Sequence, residues 1–182
     1  MTYNKVDLLM SDRYFYMSKP HDHYITPKWA FEILEPFIED YNVIYEPFYN
    51  KSAYSPDVFR DMGKTVIWND EDFFENYEER IEQCDILISN PPYTRYKEIL
   101  NLLSKKNKPV ILILPIAKLT TKTIKNLYKE GYEYKLIIPP KRIQYIKTDE
   151  DGNIEPEQAN KCSFDSVFFC YGLNLPYDIN YL

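Results

Sequence analysis

Two short segments that are apolar at consecutive positions constrain the fold of this chain more than any other feature. One is Ile86-Leu87-Ile88 within the run Asp85–Asn90, and the other is the run Pro109–Pro115. A β-strand can be apolar on both faces only where helices cover both sides of its sheet, as they do in parallel sheets. The two runs therefore predict a parallel sheet enclosed between two layers of helices.

Strand and helix patterns alternate along the rest of the chain. Short runs rich in β-branched and aromatic residues predict further strands at 42–46, 66–68, 134–138, 143–146 and 166–171. Apolar residues at helical spacing predict helices at 26–37, 55–62, 96–105 and 121–130. In the first helix, Thr26 is the expected N-cap and Pro27 the first helical residue. The alternation predicts an α/β three-layer sandwich, in which ligands bind beyond the carboxyl ends of the strands.

The composition fits a single domain. The chain has 182 residues, of which 45% are hydrophobic and 16% aromatic, enough for one sizeable core. We therefore expect one domain over residues 1–182, with an N-terminal extension at 1–23 and an acidic loop at 148–161. No apolar run reaches the ~18 residues of a membrane span, and the first residues are too charged for a signal peptide. These features predict no membrane contact and a location in the cytoplasm or another soluble intracellular compartment.

The three cysteines, Cys84, Cys162 and Cys170, give little support for a disulfide or a metal site. Their number is odd, and no two of them are spaced as a Cys-x-x-Cys pair. Their neighbours in the sequence are apolar or typical of strands. We expect reduced, buried thiols and no metal ion.

Charge is unevenly distributed along the chain. The formal net charge is −6, but residues 94–147 carry 13 basic and 3 acidic side chains, whereas 1–93 carry 8 and 18, and 148–182 carry 1 and 7. Basic residues concentrated in one segment are typical of a surface that binds nucleic-acid phosphates, although a solvated helix face gives the same pattern. The basic segment 94–147 is therefore the predicted contact with nucleic acid.

The motif Asn90-Pro91-Pro92-Tyr93 follows the predicted strand 85–89, at the position where such sheets bind ligands. The amide oxygen of Asn90 and the carbonyl oxygen of Pro91 can each accept one hydrogen of an exocyclic amino group, which draws its nitrogen toward tetrahedral geometry for methylation. The ring of Tyr93 can stack on a base that has left its helix. The structural alternative is a polar strand end followed by a double-proline turn.

With this motif the chain resembles the S-adenosylmethionine-dependent amino-methyltransferases, especially the DNA adenine-N6 and cytosine-N4 enzymes, over most of residues 24–173. The resemblance implies a class I methyltransferase fold, which is a Rossmann-like sandwich with a mostly parallel seven-stranded sheet and a C-terminal antiparallel strand. It implies S-adenosylmethionine as the cofactor and Asn90, Pro91, Pro92 and Tyr93 as the catalytic residues. The expected reaction is methylation of adenine N6 in DNA, with the base flipped into a pocket at Asn90–Tyr93.

The resemblance also assigns the first two cofactor elements. Thr26 and Pro27 match the element that holds the methionine end of the cofactor. Glu46-Pro47-Phe48 matches the end of the first strand, where the family has an acid near the cofactor's amino group. The family's glycine-rich residues, which let the backbone approach the cofactor, are replaced in this chain by Tyr49–Ala53.

Four residues after the second strand are expected at the nucleoside end of the cofactor. The resemblance implies that Asp70 accepts from the ribose hydroxyls, a role that Glu71 fits equally well. It implies that Asp72 contacts the adenine and that Phe73 packs on the adenine ring. For any one of the acidic residues, an N-cap before a short helix is the structural alternative.

Three basic residues are expected near the substrate. Lys118 follows the strand 109–115, where the family's next motif helps to form the pocket for the target base. Lys141 and Arg142 precede another predicted strand and are expected at the substrate's phosphates, although surface ion pairs explain them equally well. Little of the chain remains outside the catalytic sheet, so no separate target-recognition domain is expected.

Two alternative functions stay open at this point. The same motif serves methyltransferases that modify RNA bases or the side-chain amide of a protein glutamine, because each presents a planar and weakly nucleophilic amine. A catalytically degenerate subunit that binds nucleic acid or a partner is the second alternative, and association with a partner subunit or as a homodimer is compatible with either. Saturable binding of S-adenosylmethionine would separate the enzyme from the degenerate subunit.

Overall fold

The computed structural model describes residues 24–48, 53–68, 72–147 and 164–182. These residues form nine strands: β1 Tyr24–Ile25, β2 Val43–Tyr45, β3 Thr65–Ile67, β4 Ile86–Ser89, β5 Val110–Pro115, β6 Tyr134–Ile138, β7 Ile146–Lys147, β8 Ser166–Tyr171 and β9 Ile179–Tyr181. They also form five α-helices: α1 Lys28–Glu32, α2 Ser55–Asp61, α3 Phe73–Gln83, α4 Tyr96–Leu103 and α5 Lys122–Lys129. The expected extension 1–23 and acidic loop 148–161 lie outside the described residues.

Seven strands form one mixed sheet in the order β3-β2-β4-β5-β8-β6-β9. The first four are parallel to one another, β8 is antiparallel to both β5 and β6, and β9 is parallel to β6. The prediction of an α/β fold with a mostly parallel seven-stranded sheet is confirmed. The antiparallel strand expected near the C-terminus is β8, which lies inside the sheet, and it is followed by the additional edge strand β9.

The two central strands are buried on both faces, as their apolar runs predict. In β5, Ile111 and Ile113 belong to one apolar core, whereas Val110, Leu112 and Leu114 belong to the core on the opposite face of the sheet. All five side chains are at most 1% exposed. The first core packs against α1 and α2, and the second packs against α3, α4 and α5. This sandwich fixes the strand ends that carry the polar residues of the candidate site.

The first predicted helix is shorter than its sequence suggests. Thr26 is not its N-cap, because Pro27 has an extended conformation with ψ of 147° and itself occupies the cap position. The helix ends at Glu32 rather than 37, and Glu35–Phe37 forms a separate 3-10 turn that contains Pro36. Proline lacks the N–H that a continuing α-helix would use, so the α-helix ends before it.

The predicted strand 143–146 is also displaced. Its only paired residues are Ile146 and Lys147, which form β7 and pair with β1 in a separate two-stranded antiparallel sheet. Ile143 and Tyr145 are nevertheless buried in the core, which explains why the sequence resembles a strand there. The strand predicted at 143–146 is therefore present only at Ile146–Lys147, outside the main sheet.

Two of the three cysteines lie in the described part of the chain. Cys84 and Cys170 are free and buried, and burial raises the pKa of both thiols, that of Cys84 to about 11. Both are therefore protonated at neutral pH. Cys162 lies outside the described residues. Within the same residues, no helix has the length and apolar character that crossing a bilayer requires.

Candidate active site

The candidate site lies where β2 and β4, neighbours in the sheet, end at the same edge. Glu46 follows β2, and Asn90 follows β4. A pocket lies at this edge, with a volume of about 290 Å³ that includes the open solvent at its mouth. Its lining residues come from four separate segments: Tyr24, Ile25, Thr26, Phe31, Glu46, Phe48, Ala53, Ser55 and Asn90. The pocket therefore lies at the carboxyl ends of parallel strands, where sheets of this kind bind ligands.

Four residues chosen from the sequence meet in this pocket. Thr26, Glu46, Phe48 and Asn90 all line it, although they lie up to 64 positions apart in the chain. Pro27 and Pro47 adjoin two of them along the backbone, and Pro47 is buried. The structure thus brings the first strand end, the helix start and the motif loop together at one place.

Glu46 is the buried carboxyl of the pocket, with only 2% of its surface exposed. Its Oε1 accepts hydrogen bonds from the Ser89 hydroxyl and, at 3.4 Å, from the Phe48 backbone N–H, and its carboxyl also accepts from the Ser55 hydroxyl. Burial raises the pKa of this carboxyl from 4.5 to about 7, and the three hydrogen bonds act in the opposite direction. Glu46 is therefore partly protonated at neutral pH.

Sequence reasoning did not single out Ser55, which lines the pocket and is 1% exposed. Ser55-Pro56-Asp57 signalled only the start of a helix, and α2 does begin there. Neither Pro56 nor Asp57 indicates that the Ser55 hydroxyl donates a hydrogen bond to Glu46. The only available signal was the position of Ser55 nine residues after the first strand end.

Asn90, which lines the pocket, carries a buried acceptor. Its Oδ1 atom is inaccessible to solvent and has no hydrogen-bond partner among the described residues. Leaving such an atom unsatisfied costs about 1–3 kcal/mol, so buried acceptors without partners are uncommon in folded proteins. A ligand with an N–H or O–H group at this place would satisfy it. The arrangement therefore offers a preformed hydrogen-bond acceptor for a donor that enters the pocket.

The rest of the motif forms the loop between β4 and α4. Pro91 is buried, Pro92 and Tyr93 are half-buried, and the Arg95 backbone N–H closes a turn on the Pro92 carbonyl oxygen at 3.0 Å. The Tyr93 hydroxyl donates to the Tyr145 hydroxyl at 2.9 Å. The loop therefore places the tyrosine ring directly after the buried amide, with its tip bound to a second, distant segment.

Asp72 and Phe73 have clear structural roles. Asp72 is the N-cap of α3, and its Oδ1 accepts from the Phe74 backbone N–H at 2.8 Å. Phe73 is 4% exposed, and its ring lies 4.8 Å from that of Phe48, the residue that lines the pocket. Asp70 and Glu71 lie outside the described residues, as do Tyr49–Ser52.

Of the three basic residues expected near the substrate, Lys141 and Arg142 are exposed and Lys118 is half-buried. Lys118 Nζ lies 4.5 Å from the centre of the Tyr96 ring, and Lys141 Nζ lies 4.7 Å from that of Trp29. Arg142 forms a two-pronged ion pair with Asp165, in which Nε lies 2.6 Å from Oδ1 and the second contact is 3.1 Å. This guanidinium holds the pKa of Asp165 below its ordinary value. None of the three is among the described residues that line the pocket.

A second, larger groove lies between α4 and α5, within the basic segment. It has an open volume of about 550 Å³ and is lined by Lys97, Asn101, Lys122, Thr123, Asn126, Leu127 and Glu130. Lys97 and Lys122 stand at the first turns of their helices, which begin at the same edge of the sheet as the pocket. In the part of the chain that the structure describes, no three metal-ligating side chains are grouped to hold an ion, either here or elsewhere.

Comparison with known proteins shows a partial similarity to a methyltransferase. No family model matches the chain. The chain is similar to Type II methyltransferase M.EcoRI of Escherichia coli, with 30% identity over 84 residues. The aligned part is 46% of this chain and 26% of that enzyme, so the chain spans about a quarter of the length of the curated relative it matches. The similarity is therefore to part of a methyltransferase, in a chain that has an α/β fold.

Proposed function

We propose that this protein transfers a methyl group from S-adenosylmethionine to an exocyclic amino group, and that the substrate is adenine N6 in DNA. The observation that carries the proposal is the Asn90 Oδ1 atom, a buried acceptor without a partner among the described residues, on a residue that lines a pocket at the carboxyl edge of the sheet. An amino group with two hydrogens to donate is the kind of ligand such an acceptor requires.

The motif loop acts on the amino group. Asn90 Oδ1 and the Pro91 carbonyl oxygen accept its two hydrogens, hold the nitrogen in line for attack, and bind it more strongly as positive charge develops on it. The Tyr93 ring stacks on the face of the extrahelical base. The methylated amine then loses its proton to solvent, so no catalytic base is needed.

Other residues of the pocket fit the cofactor. S-adenosylmethionine supplies the methyl group and, as a sulfonium, a good leaving group when bound. Glu46 would accept from the cationic amino group of its methionine end, and Thr26 and Phe48 line the same pocket. The buried carboxyl of Glu46 supports this assignment, because a buried carboxylate is stable when a cation pairs with it. Pro27, Pro47, Asp70, Asp72 and Phe73 complete the proposed cofactor-binding set.

The basic side of the molecule fits a nucleic acid. Lys97 and Lys122 line the groove between α4 and α5, and neither has a carboxylate partner within 4 Å among the described residues. Lys118, Lys141 and Arg142 are the further proposed phosphate contacts. The relative with which the chain shares 84 aligned residues is a Type II methyltransferase, which favours DNA over the other polymers.

The test is methyl transfer with and without the Asn90 side chain. Wild type, Asn90→Ala and the matched control Asn174→Ala, an exposed residue beyond β8, are incubated with radiolabelled S-adenosylmethionine and with duplex DNA, single-stranded DNA, transfer RNA or a protein lysate. We expect N6-methyladenine in DNA with wild type and the control, and at least a hundredfold loss with Asn90→Ala, since positioning groups of this kind contribute several kcal/mol.

The other outcomes select among the alternatives. Label in transfer RNA or in protein would keep the mechanism and replace the substrate. If no polymer is labelled, a thermal-shift titration with S-adenosylmethionine follows. A saturable shift would point to a missing substrate or partner subunit, whereas its absence would favour the degenerate subunit.

A further inference from the structure

A chain of three hydroxyl groups runs from the motif loop into the core. The Tyr93 hydroxyl donates to the Tyr145 hydroxyl at 2.9 Å, and the Tyr145 hydroxyl donates to Ser166 Oγ at 2.7 Å. Tyr145 is 2% exposed and Ser166 is 4% exposed, whereas Tyr93 is half-buried. These two hydrogen bonds therefore join one partly exposed tyrosine to two buried residues that lie 52 and 73 positions further along the sequence.

The two buried members are rigidly held. Ser166 begins β8, the strand between β5 and β6, and is paired there with Pro115. Tyr145 directly precedes β7 and belongs to the apolar core on the α1 and α2 side of the sheet. Tyr93, in contrast, lies in the loop between β4 and α4. The hydrogen bond therefore transmits the rigidity of the sheet to a side chain whose own backbone is in a loop.

Aromatic rings enclose the same hydroxyl chain. The Phe164 ring lies 5.7 Å from that of Tyr93 at an interplanar angle of 81°, and 5.8 Å from that of Tyr145. The Tyr24 ring, from a residue that lines the pocket, lies 6.1 Å from that of Tyr145. Edge-to-face and tilted contacts of this kind restrict ring rotation. The tip of Tyr93 is fixed by a hydrogen bond, and its ring is fixed by Phe164.

We infer that Tyr145, anchored by Ser166, is a positioning residue that holds the Tyr93 ring in the orientation in which it receives the target base. This inference rests on the proposed function, because it assumes that Tyr93 stacks on a flipped base. Tyr145 itself does not touch the substrate and acts only through the Tyr93 hydroxyl. A ring that is already oriented loses less rotational freedom when the base arrives, so substrate binding is tighter.

The test is a double-mutant cycle that removes the two hydroxyls and keeps both rings. Tyr93→Phe, Tyr145→Phe and the double variant are compared with wild type by kcat/KM for methyl transfer to DNA. We expect each single variant to lose roughly three- to tenfold, the range of one net hydrogen bond, and the double variant to lose no more than either single one. Tyr128→Phe, which changes a 64% exposed tyrosine, is the matched control and is expected to have wild-type activity.

Two readouts separate positioning from general damage. S-adenosylmethionine affinity, measured by calorimetry, is expected to stay at its wild-type value in all variants. The fluorescence of 2-aminopurine at the target position, which rises when the base is extrahelical, is expected to fall in parallel with kcat/KM. Ser166→Ala leaves the Tyr93–Tyr145 hydrogen bond in place and is expected to give a smaller loss, and it provides the second variant should Tyr145→Phe not fold.

The outcomes distinguish this inference from the proposed function. Wild type that labels no polymer would overturn the proposed methylation of DNA, whatever its affinity for S-adenosylmethionine, and this inference with it. Active wild type with Tyr145→Phe at the wild-type rate would overturn this inference alone. Losses that add up in the double variant, or a matching loss of cofactor affinity, would also overturn it, because Tyr145 would then act independently of the Tyr93 hydroxyl.

Discussion

Glu46→Gln is expected to change how the stability of this protein depends on pH. Glu46 is 2% exposed, and burial raises the pKa of its carboxyl from 4.5 to about 7 in the folded chain. Glutamine has nearly the same shape as a protonated glutamate and does not titrate. The variant therefore keeps the neutral form of the residue at every pH, and the wild type does not.

The sign and size of the effect follow from the two pKa values. Below about pH 4.5 the carboxyl is protonated in both the folded and the unfolded chain, and stability does not change with pH through this group. Between 4.5 and about 7 the unfolded chain loses the proton while the folded chain keeps it, so the free energy of unfolding falls as pH rises. The complete loss is about 3 kcal/mol, and it is reached above pH 7.

Urea unfolding at a series of pH values between 4.5 and 8.5 measures this loss. We expect the stability of Glu46→Gln relative to wild type to rise by about 3 kcal/mol across the series. Glu133→Gln, which replaces an exposed glutamate, is the control and is expected to follow wild type. Parallel curves for wild type and Glu46→Gln would refute the reasoning, because the carboxyl would then titrate alike in both states.

Two further predictions concern binding. S-adenosylmethionine affinity is expected to weaken as pH falls through 7, by up to about tenfold per pH unit, because in the proposed complex its ammonium pairs with the ionised form of Glu46. Calorimetry across pH 5.5–8 measures this change. An affinity that does not depend on pH would contradict the prediction. Lys97→Ala and Lys122→Ala are each expected to reduce the slope of log affinity for DNA against log salt by about 1, whereas Lys105→Ala, an exposed control outside the groove, is not. If Lys97→Ala and Lys122→Ala both keep the wild-type slope, the groove is excluded as a phosphate contact.

The sequence predicts those parts of the fold in which neighbouring residues alone show which positions are buried. β4 and β5 are apolar at consecutive positions because both faces of the sheet are covered, and this signal needs no knowledge of distant residues. β9 has the opposite pattern, with exposed Ile179 and Tyr181 on either side of buried Asn180. The Asn180 amide donates to the carbonyl oxygens of Leu136 and Tyr177 at 3.0 and 2.8 Å, so a tertiary contact determines its position.

The candidate site divides in the same way. The positions of Asn90 and Glu46 at this edge of the sheet could be predicted, because a polar residue directly after an apolar strand can be recognised in the sequence. Ser55 and Tyr145 could not, since each depends on a side chain that the fold brings from a distant segment, the Glu46 carboxyl in one case and the Tyr93 hydroxyl in the other. Whether the predicted residues bind the cofactor and the base stays a prediction.

The pairing of β1 with β7 has a consequence for the order in which the molecule assembles. These strands pair Tyr24 with Lys147 and Ile25 with Ile146, across a loop of about 120 residues, and β1 contributes two residues to the pocket wall. A contact that closes so long a loop carries a large entropic cost and depends on the elements between its ends. We therefore expect the pocket to form late in folding, and a ligand held there to stabilise only the fully assembled chain.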